Sequence, residues 1–82
     1  IQKNYDTLIL IGEGAFYYIC KDFPEILDGI NLVILENDFL NIKQKTYVDN
    51  LLIKNGLKSI YTQSGGWGCC ENIFYQIFKK IN

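Results

Sequence analysis

Leu8-Ile9-Leu10-Ile11-Gly12-Glu13-Gly14 and Leu32-Val33-Ile34-Leu35-Glu36-Asn37-Asp38 repeat one pattern. In each, an aliphatic run ends in a carboxylate set among glycines or an amide. The runs are too short for helices and rich in β-branched residues, so they read as strands. Apolar character on both faces marks a strand of a parallel pair, which helices normally cover on both sides. In open α/β sheets the ligand crevice lies outside the carboxyl ends of such strands. Glu13, Glu36 and Asp38 therefore become the candidate catalytic residues on that rim.

The first strand is expected over Asp6 to Gly12, followed by a helix over Ala15 to Lys21. Asp22 and Glu25 have capping-box spacing, with Pro24 tolerated in the first turn. A short second helix is expected there, closed by Gly29 in the left-handed conformation. The second strand runs from Asn31 to Glu36. Asn41 and Gln44 open a longer helix, with Tyr47, Val48, Leu51 and Leu52 on its apolar stripe and Lys43, Lys45, Asp49 and Lys54 elsewhere. Asn55-Gly56 ends it. Lys58 to Gln63 and Asn72 to Lys79 read as the last two strands, joined through the glycine loop of Ser64 to Gly68.

The expected order is β-α-β-α-β-β. The first two strands are parallel through a right-handed crossover, and the C-terminal strand is antiparallel. One helix is expected on each face of the sheet. The first strand is as apolar as a central strand, but nothing upstream of it reads as a partner. A bare apolar edge is normally covered, so more sheet is expected before it.

The chain has 82 residues, a net charge of −1 and 49% hydrophobic residues. That suffices for one small domain, which buries about 60–65% of its unfolded surface. Arg and His are both absent. Without a bidentate phosphate fork or a basic stripe, nucleic acid is not an expected partner. Histidine-based catalysis and histidine-ligated metals are excluded within these residues. No apolar run approaches the ~20 residues that span a bilayer, so no membrane partner is expected.

The three cysteines have no metal-like spacing, which favours a reducing, cytoplasmic setting. Adjacent Cys69 and Cys70 bridge only with strain, so burial is their expected role. The loop Gly65-Gly66-Trp67-Gly68 lacks the Lys-Ser/Thr ending of a phosphate loop and is expected to be a tight turn anchored by Trp67. Three rim carboxylates suit Mg²⁺ as oxygen ligands, but nothing fixes their spacing and no metal site is assigned. Met is absent, including at position 1, so residues 1–82 are expected to be a single partial domain.

Tyr5 to Ile19, containing Ile11-Gly12-Glu13-Gly14-Ala15, resembles the fourth strand and following helix of FkbM-type methyltransferases. That family carries Asp-x-Glu-Gly-Ala there; this chain has Ile11 at the Asp position and keeps Glu13, Gly14 and Ala15. Leu35-Glu36-Asn37-Asp38-Phe39 resembles the family's fifth strand and its acidic end. Gly65-Gly66-Trp67-Gly68-Cys69-Cys70 and the strand Ile73 to Lys80 resemble its closing turn and last strand. The resemblance implies the carboxyl half of a Rossmann-like domain that transfers a methyl group from S-adenosylmethionine to the hydroxyl of a small molecule, sugar or lipid. It also implies that the main cofactor-binding motifs lie in an upstream half-domain, and that these residues alone are inactive. The alternative reading is a non-catalytic α/β module that pairs with another chain through its exposed first strand.

Overall fold

The computed structural model describes residues 2–11 and 14–81. Among them are five strands, β1 (Gln2–Asn4), β2 (Thr7–Leu10), β3 (Leu32–Glu36), β4 (Leu57–Gln63) and β5 (Tyr75–Lys80). Two α-helices, α1 (Phe16–Asp22) and α2 (Ile42–Lys54), are accompanied by 3-10 turns at Pro24–Leu27 and Glu71–Ile73. The chain forms a small α/β domain around one mixed sheet of order β1-β2-β3-β5-β4. β2 and β3 are parallel, with Leu8 opposite Val33 and Leu10 opposite Leu35. β5 is antiparallel to both β3 and β4.

The aliphatic runs thus form the central parallel pair, as expected. The edge of β2 is not bare, however. Gln2–Asn4 returns along it as an antiparallel strand, with Asn4 opposite Thr7. Tyr5 takes φ 58° in the tight turn between them, a left-handed conformation uncommon outside glycine.

Both helices lie on one face, which corrects the expectation of one helix per face. Leu8, Leu10, Val33, Leu35 and Phe78 of the sheet form a single core with Phe16 and Cys20 of α1 and Val48 and Leu52 of α2. The two helices also touch directly: the Tyr17 and Tyr47 rings meet edge to face at 5.4 Å, and the Gln44 amide donates to the Tyr18 hydroxyl at 3.4 Å. Topology gives the reason. The chain steps from β2 to β3 through α1, then from β3 past β5 to β4 through α2, always in one direction across the sheet. Right-handed crossovers taken in one direction put their helices on one side. A helix on the other face requires the direction of crossing to reverse, and the described strands contain no such reversal.

Local signals were followed unevenly. Asn41 caps α2 by accepting from the Gln44 backbone N–H at 3.0 Å, and the Gln44 side chain accepts from Leu40 N–H at 3.1 Å. The capping box is closed one residue early. Gly29 and Gly56 have φ 74° and 83°, as the helix-ending roles require. The Asp22–Glu25 box does not form: Pro24–Leu27 is only a 3-10 turn, and no side chain caps it. Asn72 and Ile73 belong to the second 3-10 turn rather than to β5. Trp67 is 69% exposed and, although its ring meets that of Phe74 at 5.5 Å, does not by itself anchor its loop. Phe74 and Tyr75 do, because a Cβ on Gly66 or Gly65 would stand 2.5 Å from their rings.

Candidate functional site

Alternation along the strands separates two faces. The open face carries a row of Ile9, Ile34, Ile77 and Tyr61, which are mutual partners across β2, β3, β5 and β4. Tyr61 joins this row because a bulge at Ile60 shifts the parity of β4 after Ser59, and a single inserted residue turns the following side chains to the opposite face. Toward the carboxyl end of β3 the next row is Glu36, Tyr75 and Gln63. Together they border a depression of about 290 Å³ lined by Ile11, Ile34, Glu36, Tyr61, Tyr75 and Ile77. An apolar cleft with a few convergent polar groups is the usual form of a small-molecule site.

Glu36 ends β3 within this depression. Asp38, two residues on, is half-buried, and its Oδ1 is shut away from solvent without a hydrogen-bond partner among the described residues. Burial raises the Asp38 carboxyl above the usual range; its own backbone N–H opposes this, and the nearby Glu36 charge adds to it. Glu13 lies outside the described residues. Gly14 nevertheless lies against the turn after β3, since a Cβ on it would stand 3.4 Å from the Asp38 carbonyl oxygen. The described rim is therefore formed by Glu36, Asp38 and the adjoining Gly14.

Beneath the rim, on the helix face, is a buried polar network. Helical periodicity puts Lys45 outside the apolar stripe of α2, yet it is 2% exposed. Its Nζ donates to Asp49 Oδ1 and to Gln76 Oε1, both at 2.6 Å, and its ammonium lies 5.5 Å from the centre of the Phe78 ring. Gln76 Oε1 also accepts from Asn37 Nδ2 at 3.0 Å, and Gln76 Nε2 donates to Ser59 Oγ at 2.9 Å. Asn37, fully buried, further donates to the Ile73 carbonyl at 2.6 Å. This network binds the first residue after β3 to the centre of β5 and to α2, which fixes where the rim stands. One signal for it was legible: Gln76 stands between Phe74 and Phe78 at a period-two core position, where a polar residue needs buried partners. Asn37 Oδ1 remains unpartnered among the described residues.

No group of three or more His, Cys, Asp or Glu among the described residues is arranged to hold a metal ion. No described helix is long and apolar enough to cross a membrane. No protein-family model, curated protein or solved structure matches this chain.

Proposed function

We propose that these residues are the carboxyl half of an FkbM-like, S-adenosylmethionine-dependent methyltransferase, acting on the hydroxyl of a small molecule, sugar or lipid in the cytoplasm. The observation that carries this reading is the half-covered sheet. A central parallel pair, a reversed last strand and two helices on one side are consistent with half of a Rossmann-like domain. The other face, apolar along Ile9, Ile34, Ile77 and Tyr61, is suited to packing against an upstream half. Ligands of doubly wound sheets bind where strand order reverses. In this reading the reversal is supplied by the upstream half, beyond β1, which pairs along the outer edge of β2.

S-adenosylmethionine is the methyl donor the family uses. The described residues do not fit its nucleoside: they include no rim set with a ribose-holding carboxylate beside a glycine turn that opens a helix. Those contacts belong to the upstream half. What this half contributes is the acceptor side. Glu36 accepts a hydrogen bond from the substrate hydroxyl and orients its oxygen. Asp38 bounds the same ledge, and the apolar wall excludes water. Alignment of this kind is the main thing a protein supplies to such a displacement.

Calorimetry with S-adenosylmethionine tests the reading. Heat on titrating the chain together with its upstream sequence, and none with residues 1–82 alone, is the expected result. No heat with either overturns it. The second reading, a module that pairs with another chain, cannot use the edge of the first aliphatic strand, because β1 occupies it; the pairing edge in this reading is β1 itself, at the end of the sheet, open to strand addition. Lys3→Pro, which lacks the backbone donor, would then abolish assembly while leaving methyl-donor binding by the longer protein intact.

A further inference from the structure

The Cys69 and Cys70 sulfurs lie 2.8 Å apart, on a turn whose preceding residues Gly66 and Gly68 both have positive φ. Both are free thiols, Cys69 exposed and Cys70 buried. Cys69 Sγ donates to the Phe39 carbonyl at 3.8 Å, so the pair is fastened to the loop that follows Asp38. We propose that Cys69 and Cys70 form a dithiol modification site, closed reversibly to a vicinal disulfide by a low-molecular-weight disulfide. This goes beyond the methyltransferase reading and does not depend on it.

The chemistry runs in two exchanges. Cys69, accessible and the outer of the two, loses its proton, and its thiolate attacks one sulfur of the small disulfide. A mixed disulfide forms on Cys69 and one small thiolate leaves. Cys70 then loses its proton and attacks the Cys69 sulfur, forming the Cys69–Cys70 bond and releasing the second small thiolate. Two protein thiols are oxidised, one small disulfide is reduced to two thiols, and two protons are passed to solvent or to those thiolates.

Geometry favours the second step. An S–S bond is about 2.05 Å, so closure asks for an approach of only about 0.8 Å from the observed separation. The reactants are held together, which gives the attack the advantage of an intramolecular reaction. Burial, with the neighbouring Cys69, pushes the Cys70 thiol up to about 12, which keeps it from acting first. The Lys45 ammonium favours its thiolate, whereas the Asp49 charge acts against it. Adjacent residues bridge only with strain, and strained or exposed disulfides are the labile ones. Closure also removes the S–H that reaches the Phe39 carbonyl and so loosens one tie on the rim. Cys20, fully buried in the core, takes no part.

The test is exposure of the reduced, folded chain to glutathione disulfide, read by intact mass, peptide mapping and maleimide labelling. The expected product is lighter by two hydrogens and has its bond within the Cys69–Cys70 peptide. It loses native maleimide labelling at Cys69 and recovers it on treatment with dithiothreitol. Cys70→Ser is expected to stop at a glutathione adduct on Cys69. Cys69→Ser, at an exposed position that leaves the core intact, is expected to give no lighter species. The proposal is overturned if the wild-type chain stops at the same adduct as Cys70→Ser. A lighter species that persists in Cys69→Ser, or maps to Cys20, overturns it too.

Discussion

The two faces of this sheet are made from the same strands and differ by one residue in parity. On one face Leu8, Leu10, Val33, Leu35 and Phe78 disappear beneath α1 and α2, each 2% exposed or less. On the other, Ile9 and Ile34 are only half-buried, and Tyr61 is 47% exposed. Their chemistry is nearly as apolar, so the difference is not composition. It is the direction in which the chain crosses the sheet, which assigns both helices to one side. A face apolar enough to be a core but left uncovered is the strongest structural pointer to a partner layer.

The sharpest way to break the contrast is to remove matched aliphatic side chains from the two faces. Leu8→Ala is expected to cost about 2–5 kcal/mol, because it leaves a cavity in a packed core. Ile34→Ala is expected to cost no more than about 1 kcal/mol, as a half-exposed side chain has less to lose. Equal losses in urea denaturation would mean that the second face is covered even in this chain.

Next in size is the buried lysine that joins the covered face to the rim. Lys45→Ala is expected to lose about 3 kcal/mol, since the buried stem over Phe78 is removed together with the cation shared by Asp49 and Gln76. Lys45→Met keeps the stem over Phe78 and is expected to lose less than half of that. Thermal melts of the two variants compare them; an identical loss would assign the effect to pairing rather than to packing.

A smaller effect is expected from placing charge on the open face. Ile34→Lys should shift the stability of residues 1–82 by no more than about 1 kcal/mol while preventing co-purification with a separately expressed upstream half. Retained co-purification would remove this face as the interface.

The smallest effect concerns the rim. Asp38 has a carboxyl raised by burial, so its ionised form is disfavoured in the folded state. That cost is present above the raised value and disappears as pH falls through it toward the ordinary 3.8. Asp38→Asn is therefore expected to melt slightly higher than wild type at neutral pH, and the two should converge as the solution approaches pH 4. A wild-type advantage at pH 7 would show instead that the carboxylate is stabilised by a partner.

Much of the architecture was legible because short-range signals carried it. The aliphatic runs marked β2 and β3, Asn41 with Gln44 marked the start of α2, and Gly29 and Gly56 marked ends. Where reading failed, a longer-range fact had prevailed. The Asp22–Glu25 spacing resembled a cap, but the segment after Pro24 is too short to propagate beyond a 3-10 turn. Lys45 resembled a solvated residue because helical periodicity cannot see Gln76, which lies 31 positions away. Of the rim acids, Glu36 and Asp38 stand together where the strand-end rule put them, while Glu13 lies outside the described residues.

The sequence by itself determined the strands from β2 onward, which pair runs parallel and which acids follow it, because apolar periodicity and capping residues act over a few residues; β1, too short and too polar to carry that signal, was not legible. Tertiary structure alone decided that both helices share a face, that Asn37, Lys45 and Gln76 join in one buried network, and that the two sulfurs of Cys69 and Cys70 come within 2.8 Å. Those outcomes depend on crossover direction and on partners brought together from distant parts of the chain, which no local window contains.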